Sequence, residues 1–300
     1  MSASSPIVVL DSGLGGLTVV RALMDAGPNE QVLYFGDTAR LPYGNKTGET
    51  VSGFVRQMIA YLLPWRPKQV IIACNTASAL ALPGVRGEFP GLAITGVIEP
   101  GAKAAAAAGG AKQAPCIGII ATEATIRSKA YDRAIHRRRN YAKLLLRPTP
   151  LLVPMIEEGR KADDPVVRLA MKQYLQPFAR HPLDVMVLGC THYPIYKNLI
   201  QEMLGPHVSV IDSARQCAED VTRRLASHGL LRPVMKMQGN PGDAAPADGA
   251  SGNLRCFVTD DPARFQRLAP RFLNREIDPP ILVRPQELYA REPMPLGETA

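Results

Sequence analysis

Apolar residues along this chain fall into short unbroken runs, separated by longer stretches in which they recur every three or four positions. Ile7-Val8-Val9-Leu10, Val70-Ile71-Ile72-Ala73, Ile117-Gly118-Ile119-Ile120-Ala121 and Val185-Met186-Val187-Leu188 are rich in β-branched residues and carry no polar alternation. Runs of that length suit strands buried on both faces, as parallel sheets require. Gln31 to Phe35 and Leu144 to Leu146 predict two further strands. Helical patterns lie between: one from about Leu17, one over Thr47 to Leu63, one through Tyr131 and one over Pro165 to Phe178. In the second of these Val51, Val55, Met58, Ile59 and Leu62 share a face, and Pro64 and Pro67 end it. Such alternation predicts an α/β fold with mainly parallel sheets.

The two halves of the chain repeat the theme. Leu10-Asp11-Ser12-Gly13 closes the first strand, and 63 residues after Asp11 comes Ile72-Ala73-Cys74-Asn75-Thr76. Ile120-Ala121-Thr122 closes a strand of the second half, and 68 residues after Thr122 comes Leu188-Gly189-Cys190-Thr191-His192. Both cysteines therefore follow a strand by one small residue, at the sheet end where open α/β folds bind ligands. Two pseudo-symmetric α/β domains are expected, one formed by 1–97 plus 209–300 and the other by 98–208, with the active site in the cleft between them. Gly239 to Gly252 is dominated by Gly, Ala, Pro, Asp and Asn and reads as a flexible linker or surface loop. A strand over Leu254–Val258 and helix over Pro262–Leu273 follow, and the tail beyond Arg284 is expected to be loose.

Composition narrows the class. With 46% hydrophobic residues in 300, the chain can bury a sizeable core. No apolar run approaches the roughly 18 residues a membrane span needs, and no basic, apolar leader opens the chain, so a soluble cytoplasmic protein is expected. The net charge is +8. The densest basic run, His136-Arg137-Arg138-Arg139, has no aromatic interleaving, which favours a solvated helix face over nucleic acid; an anionic small substrate fits the charge equally well. The five cysteines show no C-x-x-C spacing, and neither a disulfide framework nor structural zinc is expected.

Asp11-Ser12-Gly13-Leu14-Gly15-Gly16 is a glycine-rich strand-to-helix turn, but its spacing puts Thr18 where a dinucleotide fingerprint needs glycine, and it lacks the lysine of a P-loop. Such a turn lets backbone approach a ligand. Cys74-Asn75-Thr76 and Cys190-Thr191-His192 each set a thiol beside polar groups near a helix start, a setting that activates thiols. Cys116, Cys217 and Cys256 lack that setting and are assigned to the core. Two matched thiols suit one task well: inverting a carbon requires taking a proton from one face and delivering one to the other, and each sulfur can serve as base in one direction and acid in the other.

The motifs Asp11-Ser12-Gly13-x-Gly15-Gly16, Pro42-Tyr43-Gly44, Cys74-Asn75-Thr76-Ala77-Ser78, Leu152-Val153-Pro154-x-x-Glu157 and Gly189-Cys190-Thr191-His192-Tyr193-Pro194 appear in the order found in glutamate racemases, which the chain resembles from about Ile7 to Leu230, with a weaker echo over Phe257 to Leu273. His192, where aspartate racemases carry Glu, points to the glutamate branch. The resemblance implies that Cys74 and Cys190 are the catalytic acid/bases, assisted by Asp11, His192 and Glu157. It implies that Asp11, Ser12, Tyr43, Gly44, Asn75, Thr76, Thr191 and His192 contact glutamate. Thr122 and Thr125 are further candidates, in a segment that departs from the family by carrying Ala121 in place of Gly. No cofactor or metal is implied, D-glutamate would serve peptidoglycan synthesis, and a homodimer is left open. Two other readings stand beside this one: a two-cysteine racemase of aspartate or hydantoins, and a regulatory binding protein.

Overall fold

The structure, a computed structural model, describes residues 2–233 and 253–289. The expected linker at Gly239–Gly252 lies outside the described residues. Among the described residues ten strands form two sheets: β1 (Ile7–Asp11), β2 (Val32–Gly36), β3 (Gln69–Ile72), β4 (Ile94–Gly96), β5 (Cys116–Ala121), β6 (Lys143–Pro148), β7 (Val185–Gly189), β8 (Ser209–Asp212), β9 (Leu254–Val258) and β10 (Ile281–Leu282). The first sheet has the order β10-β9-β2-β1-β3-β4 and the second β6-β5-β7-β8, with every pairing parallel. Parallel pairing explains the unbroken apolar runs: β1, β3, β5 and β7 are buried along their whole length.

The shared order is the physical content of the repeat. β2-β1-β3-β4 and β6-β5-β7-β8 follow the same path, and the first sheet gains β9 and β10 from the C-terminal segment. β3 and β7 are equivalent strands, and Cys74 and Cys190 follow them. One core cluster joins the halves, running from Leu17 and Val20 of the helix Leu17–Ala26 to Cys217 and Val221 of the helix Ser213–Ser227.

Several boundaries differ from those expected. β8 begins at residue 209 and pairs with β7, so residues 209–212 hydrogen-bond into the second sheet. The helix expected through Tyr131 is two, Glu123–Arg127 and Ala130–His136, because Lys129 adopts a left-handed backbone at φ 53°. The tail is ordered at its start: the helix Pro285–Tyr289 follows Arg284, and its Leu288 is fully buried with Val55 and Met58 of the helix Gly48–Leu62. The basic run is not a bare helix face. Arg137 and Arg138 pair with Glu99, and Arg139 donates to the carbonyls of Ala106 and Gly110, at 3.1 and 2.8 Å. Its charge closes the end of the helix Ile98–Ala108.

Candidate functional site

Strand carboxyl ends from both sheets converge on a cavity of about 440 Å³. Ser12, Tyr43, Gly44, Cys74, Asn75 and Thr76 line it from the first half, and Thr122, Glu157, Cys190, Thr191 and His192 from the second. Asp11 is absent from the lining: it is buried behind the wall and reaches the site through its neighbours. Thr125 likewise stands behind, in a trio of hydroxyls with Thr76 (3.2 Å) and Thr122 (2.9 Å). All five cysteines are buried, so exposure does not set the two apart. Position does, since only Cys74 and Cys190 border this cavity.

The surroundings of the two thiols are of opposite sign. Cys190 Sγ lies 3.8 Å from His192 Nδ1, and His192 Nε2 lies 3.0 Å from Glu157 Oε1. Burial alone disfavours a charged imidazole, but the hydrogen bonds and charges of Cys190 and Glu157 outweigh it and raise His192 to about 10. For Glu157, burial is likewise opposed and overcome: the bond and charge of His192, with the charge of Arg264, hold its carboxyl below the usual range. Cys74 instead faces a carboxylate. Burial and the charge of Asp11 push its thiol up to about 12, against hydrogen bonds from Ala77 and Ser12. Burial also raises Asp11, although His192, the backbone of Gly13 and Gly16, and Thr191 favour its charged form.

Local structure holds these groups in place. Asp11 Oδ1 accepts from the Gly13 N–H at 3.0 Å, and Oδ2 accepts from the Thr191 hydroxyl at 3.3 Å, which ties the first strand's turn to the Cys190 loop. Thr18 donates to Thr191 O at 3.0 Å from the helix on the other side of that turn. This contact demands glycine at residue 15: a Cβ there would sit 2.3 Å from Thr191 Oγ1 and 2.4 Å from His192 Nδ1. The Tyr43–Gly44 turn is anchored by Asp37, fully buried, whose carboxylate accepts from Tyr43 Oη, from Thr259 Oγ1 (2.9 Å) and from Arg40 Nε (2.8 Å). The Leu41–Pro42 peptide before it is cis.

A ligand's polar ends have ready partners. Asn75 accepts from Tyr131 Oη at 2.7 Å through Oδ1, while its buried Nδ2 has no partner. Thr76 and Thr122 hydroxyls, 2.9 Å apart, adjoin it in the lining. Among the described residues no group of three or more His, Cys, Asp or Glu is placed to hold a metal ion, and no helix is long and apolar enough to cross a membrane.

Sequence reasoning missed Asp37 and Arg264. Arg264 lines the cavity from the helix Pro262–Leu268. Arg264 owes its place to β9 pairing with β2, a contact between residues more than two hundred apart with no local signature, whereas Asp37 directly follows β2 and holds Tyr43 six residues on. Thr149 was also missed; it lines the cavity and shares a 2.6 Å hydrogen bond with Tyr193.

With this geometry in hand, comparison with known proteins is specific. The model of the family described as Asp/Glu/Hydantoin racemase matches residues 17–221. A glutamate racemase of Syntrophus aciditrophicus is 42% identical over 272 residues, covering 91% of this chain and 94% of the relative. The crystal structure of glutamate racemase from Francisella tularensis in complex with D-glutamate superposes with a TM-score of 0.80 at 36% identity, covering 94% of this chain and 98% of that one. The Thermus thermophilus glutamate racemase, solved with β-chloro-D-alanine, gives 0.78 at 38% identity, over 96% of this chain and 100% of that one.

Proposed function

Since this chain belongs to the Asp/Glu/hydantoin racemase family and is thereby an amino-acid racemase, we propose that it interconverts L- and D-glutamate by two-base proton transfer between Cys74 and Cys190. The observation that carries this reading is that equivalent strands of two similar sheets each deliver one thiol to one cavity. The glutamate racemase names of its relatives, and the D-glutamate bound in the Francisella tularensis structure, support the substrate. The resemblance also supplies the physiological role, provision of D-glutamate for peptidoglycan synthesis.

In this mechanism one sulfur, as thiolate, takes the α-proton from its side of the substrate, and the other, as thiol, delivers a proton to the opposite side. By family resemblance Cys74 serves D-glutamate and Cys190 serves L-glutamate. The negative charge that develops toward the α-carboxylate needs preorganised donors, and the unpartnered Asn75 Nδ2 with the Thr76 and Thr122 hydroxyls supplies them. On the Cys190 side, the His192–Glu157 pair holds a positive charge beside the sulfur. On the Cys74 side, burial first and the charge of Asp11 second favour the protonated thiol, and a substrate ammonium group beside that sulfur would favour its thiolate. Tyr43 and Gly44, held by Asp37, complete the wall on which the side-chain carboxylate rests.

The test is optical. L-glutamate incubated with the enzyme, a chelator and no added cofactor should lose its circular-dichroism signal to zero, with aspartate and neutral amino acids far slower. Turnover of aspartate at an equal rate would favour the other two-cysteine racemases, and an unchanged signal with every amino acid tried would overturn the reading.

A further inference from the structure

Arg264 is the one lysine or arginine among the described residues that line the cavity. It stands, exposed, on the helix Pro262–Leu268, whose start is fixed by Asp261 Oδ1 accepting from the Arg264 N–H at 3.0 Å. Three carboxylates share the lining, Glu123, Glu157 and Glu158. Their own cations face elsewhere or are spent: Arg127 and Arg160, outside the lining, pair with Glu123 and Glu158 at 3.5 and 3.1 Å, and His192 pairs with Glu157. With these carboxylates already paired, Arg264 is the lining guanidinium left to meet an incoming dicarboxylate.

A different task for Arg264 would be to cap the helix Leu152–Glu157, since its Nη2 lies 3.5 Å from the Glu157 carbonyl. That end is already capped. Arg271 donates to the carbonyls of Ile156 and Arg160 at 2.7 and 3.0 Å. The Arg264 contact is at the outer limit of N–H···O geometry and made by an exposed side chain, so it holds the guanidinium only loosely. A planar guanidinium so placed can offer two parallel N–H groups to a carboxylate. It also lies outside the residues 17–221 that the family model spans.

We propose that Arg264 recruits the substrate, engaging a carboxylate of the incoming acidic amino acid at the cavity mouth; this rests on the reading that the cavity binds glutamate. The role is one of capture rather than of proton transfer, so it belongs in KM and not in kcat. Because the residue is exposed, its pull is screened by salt, with a Debye length of about 10 Å at 0.1 M falling to about 3 Å at 1 M.

The experiment compares wild type, Arg264→Gln and Arg264→Lys in D-glutamate racemisation across ionic strength. At about 0.02 M salt, Arg264→Gln should lower kcat/KM by about tenfold through KM, with kcat essentially unchanged. The deficit should close at high salt as the wild type falls toward the variant, and Arg264→Lys should keep most of the wild-type value. Equal kcat/KM for wild type and Arg264→Gln at low salt overturns the proposal. So does a salt-independent loss carried by kcat, which would assign Arg264 to the support of Glu157. A wild type that fails to racemise glutamate at any salt overturns the glutamate reading itself, and Arg264 recruitment with it; an active wild type beside an unaffected variant overturns recruitment alone.

Discussion

His192 Nε2 lies 3.0 Å from Glu157 Oε1, and both side chains are largely withdrawn from solvent. The bond joins a residue one turn past β7 to the last residue of the helix Leu152–Glu157, and it settles which thiol has a cation for a neighbour. His192 leans on Cys190 with its other ring nitrogen, so the imidazole is held between two groups that both favour its protonated form. Cys74 has no counterpart to it. The two sheets repeat each other in topology, but the chemistry placed on the repeat is asymmetric.

That pair should mark the stability profile. A histidine raised to about 10 in the folded protein against about 6.5 in the unfolded chain stabilises fully below about pH 6.5, and the contribution is lost as pH climbs through about 10. Cys190 and Glu157 both raise His192, and Glu157→Gln removes the second of them. Thermal unfolding from pH 6 to 10.5 should show the variant well below wild type at the acid end, with the gap closing at the alkaline end. Curves that stay parallel across the window would show that Glu157 does not hold the His192 proton.

Gly15→Ala tests the packing of the Cys190 loop. The new Cβ would fall 2.3 Å from Thr191 Oγ1 and 2.4 Å from His192 Nδ1, so these side chains must move. Overpacking of this kind costs about 1–3 kcal/mol, which a protein of ordinary stability survives. Displacing His192 from Cys190 is more serious for activity. The variant should remain folded, with kcat lowered by at least about tenfold, as misplacement of about 1 Å in an active site can cost more than that. Wild-type turnover in a folded Gly15→Ala would mean that the loop geometry is not needed.

Asp37→Ala tests the anchor of the Tyr43–Gly44 turn. Asp37 and Arg40 form an ion pair at 2.8 Å with side-chain exposures of 0% and 9%. Removing one partner of such a pair strands a buried charge, at a cost of about 3–5 kcal/mol. Denaturant unfolding should reveal a loss of that order. In whatever fraction stays folded, KM for glutamate should rise more than kcat falls, because the turn lines the cavity and in the proposed mechanism carries no proton. A loss under about 1 kcal/mol, within the range of an exposed pair, would show that the carboxylate is not the hub of this network.

How much of this was legible depends on the length of each signal. β1, β3, β5 and β7 are buried on both faces, and their unbroken Val and Ile runs announce them. β4 has three residues and β10 two, too short for any period to register. The helix Ile98–Ala108 contains Pro100 and Gly101 and then a run of alanines, which blurs the contrast between its faces. The helix Ser213–Ser227 was readable and missed: Ser213, Ala214, Cys217, Ala218, Val221 and Leu225 are its buried positions, at helical spacing, but four of the six are small. The residues that line the cavity from within a motif could be found from the motif. Arg264 could not, because a long-range strand pairing brings it in, and Asp37 lies outside every motif although its bond to Tyr43 is local.

The most discriminating prediction concerns the thiols themselves. Cys74→Ser or Cys190→Ser should abolish racemisation, because one face of the substrate then has no group to deliver a proton. The sulfur that remains can still remove the proton that faces it and return one to the same side. In D2O each variant should therefore exchange the α-hydrogen of a single enantiomer without inverting it, and the two variants should select opposite enantiomers. Cys74→Ser, which retains Cys190, should exchange L-glutamate, and Cys190→Ser, which retains Cys74, should exchange D-glutamate. The rates need not match, because the retained sulfurs sit in different surroundings: the raised His192 lies 3.8 Å from Cys190, whereas burial and then the charge of Asp11 oppose a thiolate at Cys74. Exchange should therefore be slower in Cys190→Ser than in Cys74→Ser. Mass spectrometry of recovered substrate, with its optical purity checked in parallel, reads both quantities. Racemisation near the wild-type rate in either variant, or exchange of the same enantiomer by both, would show that the two cysteines do not act from opposite sides.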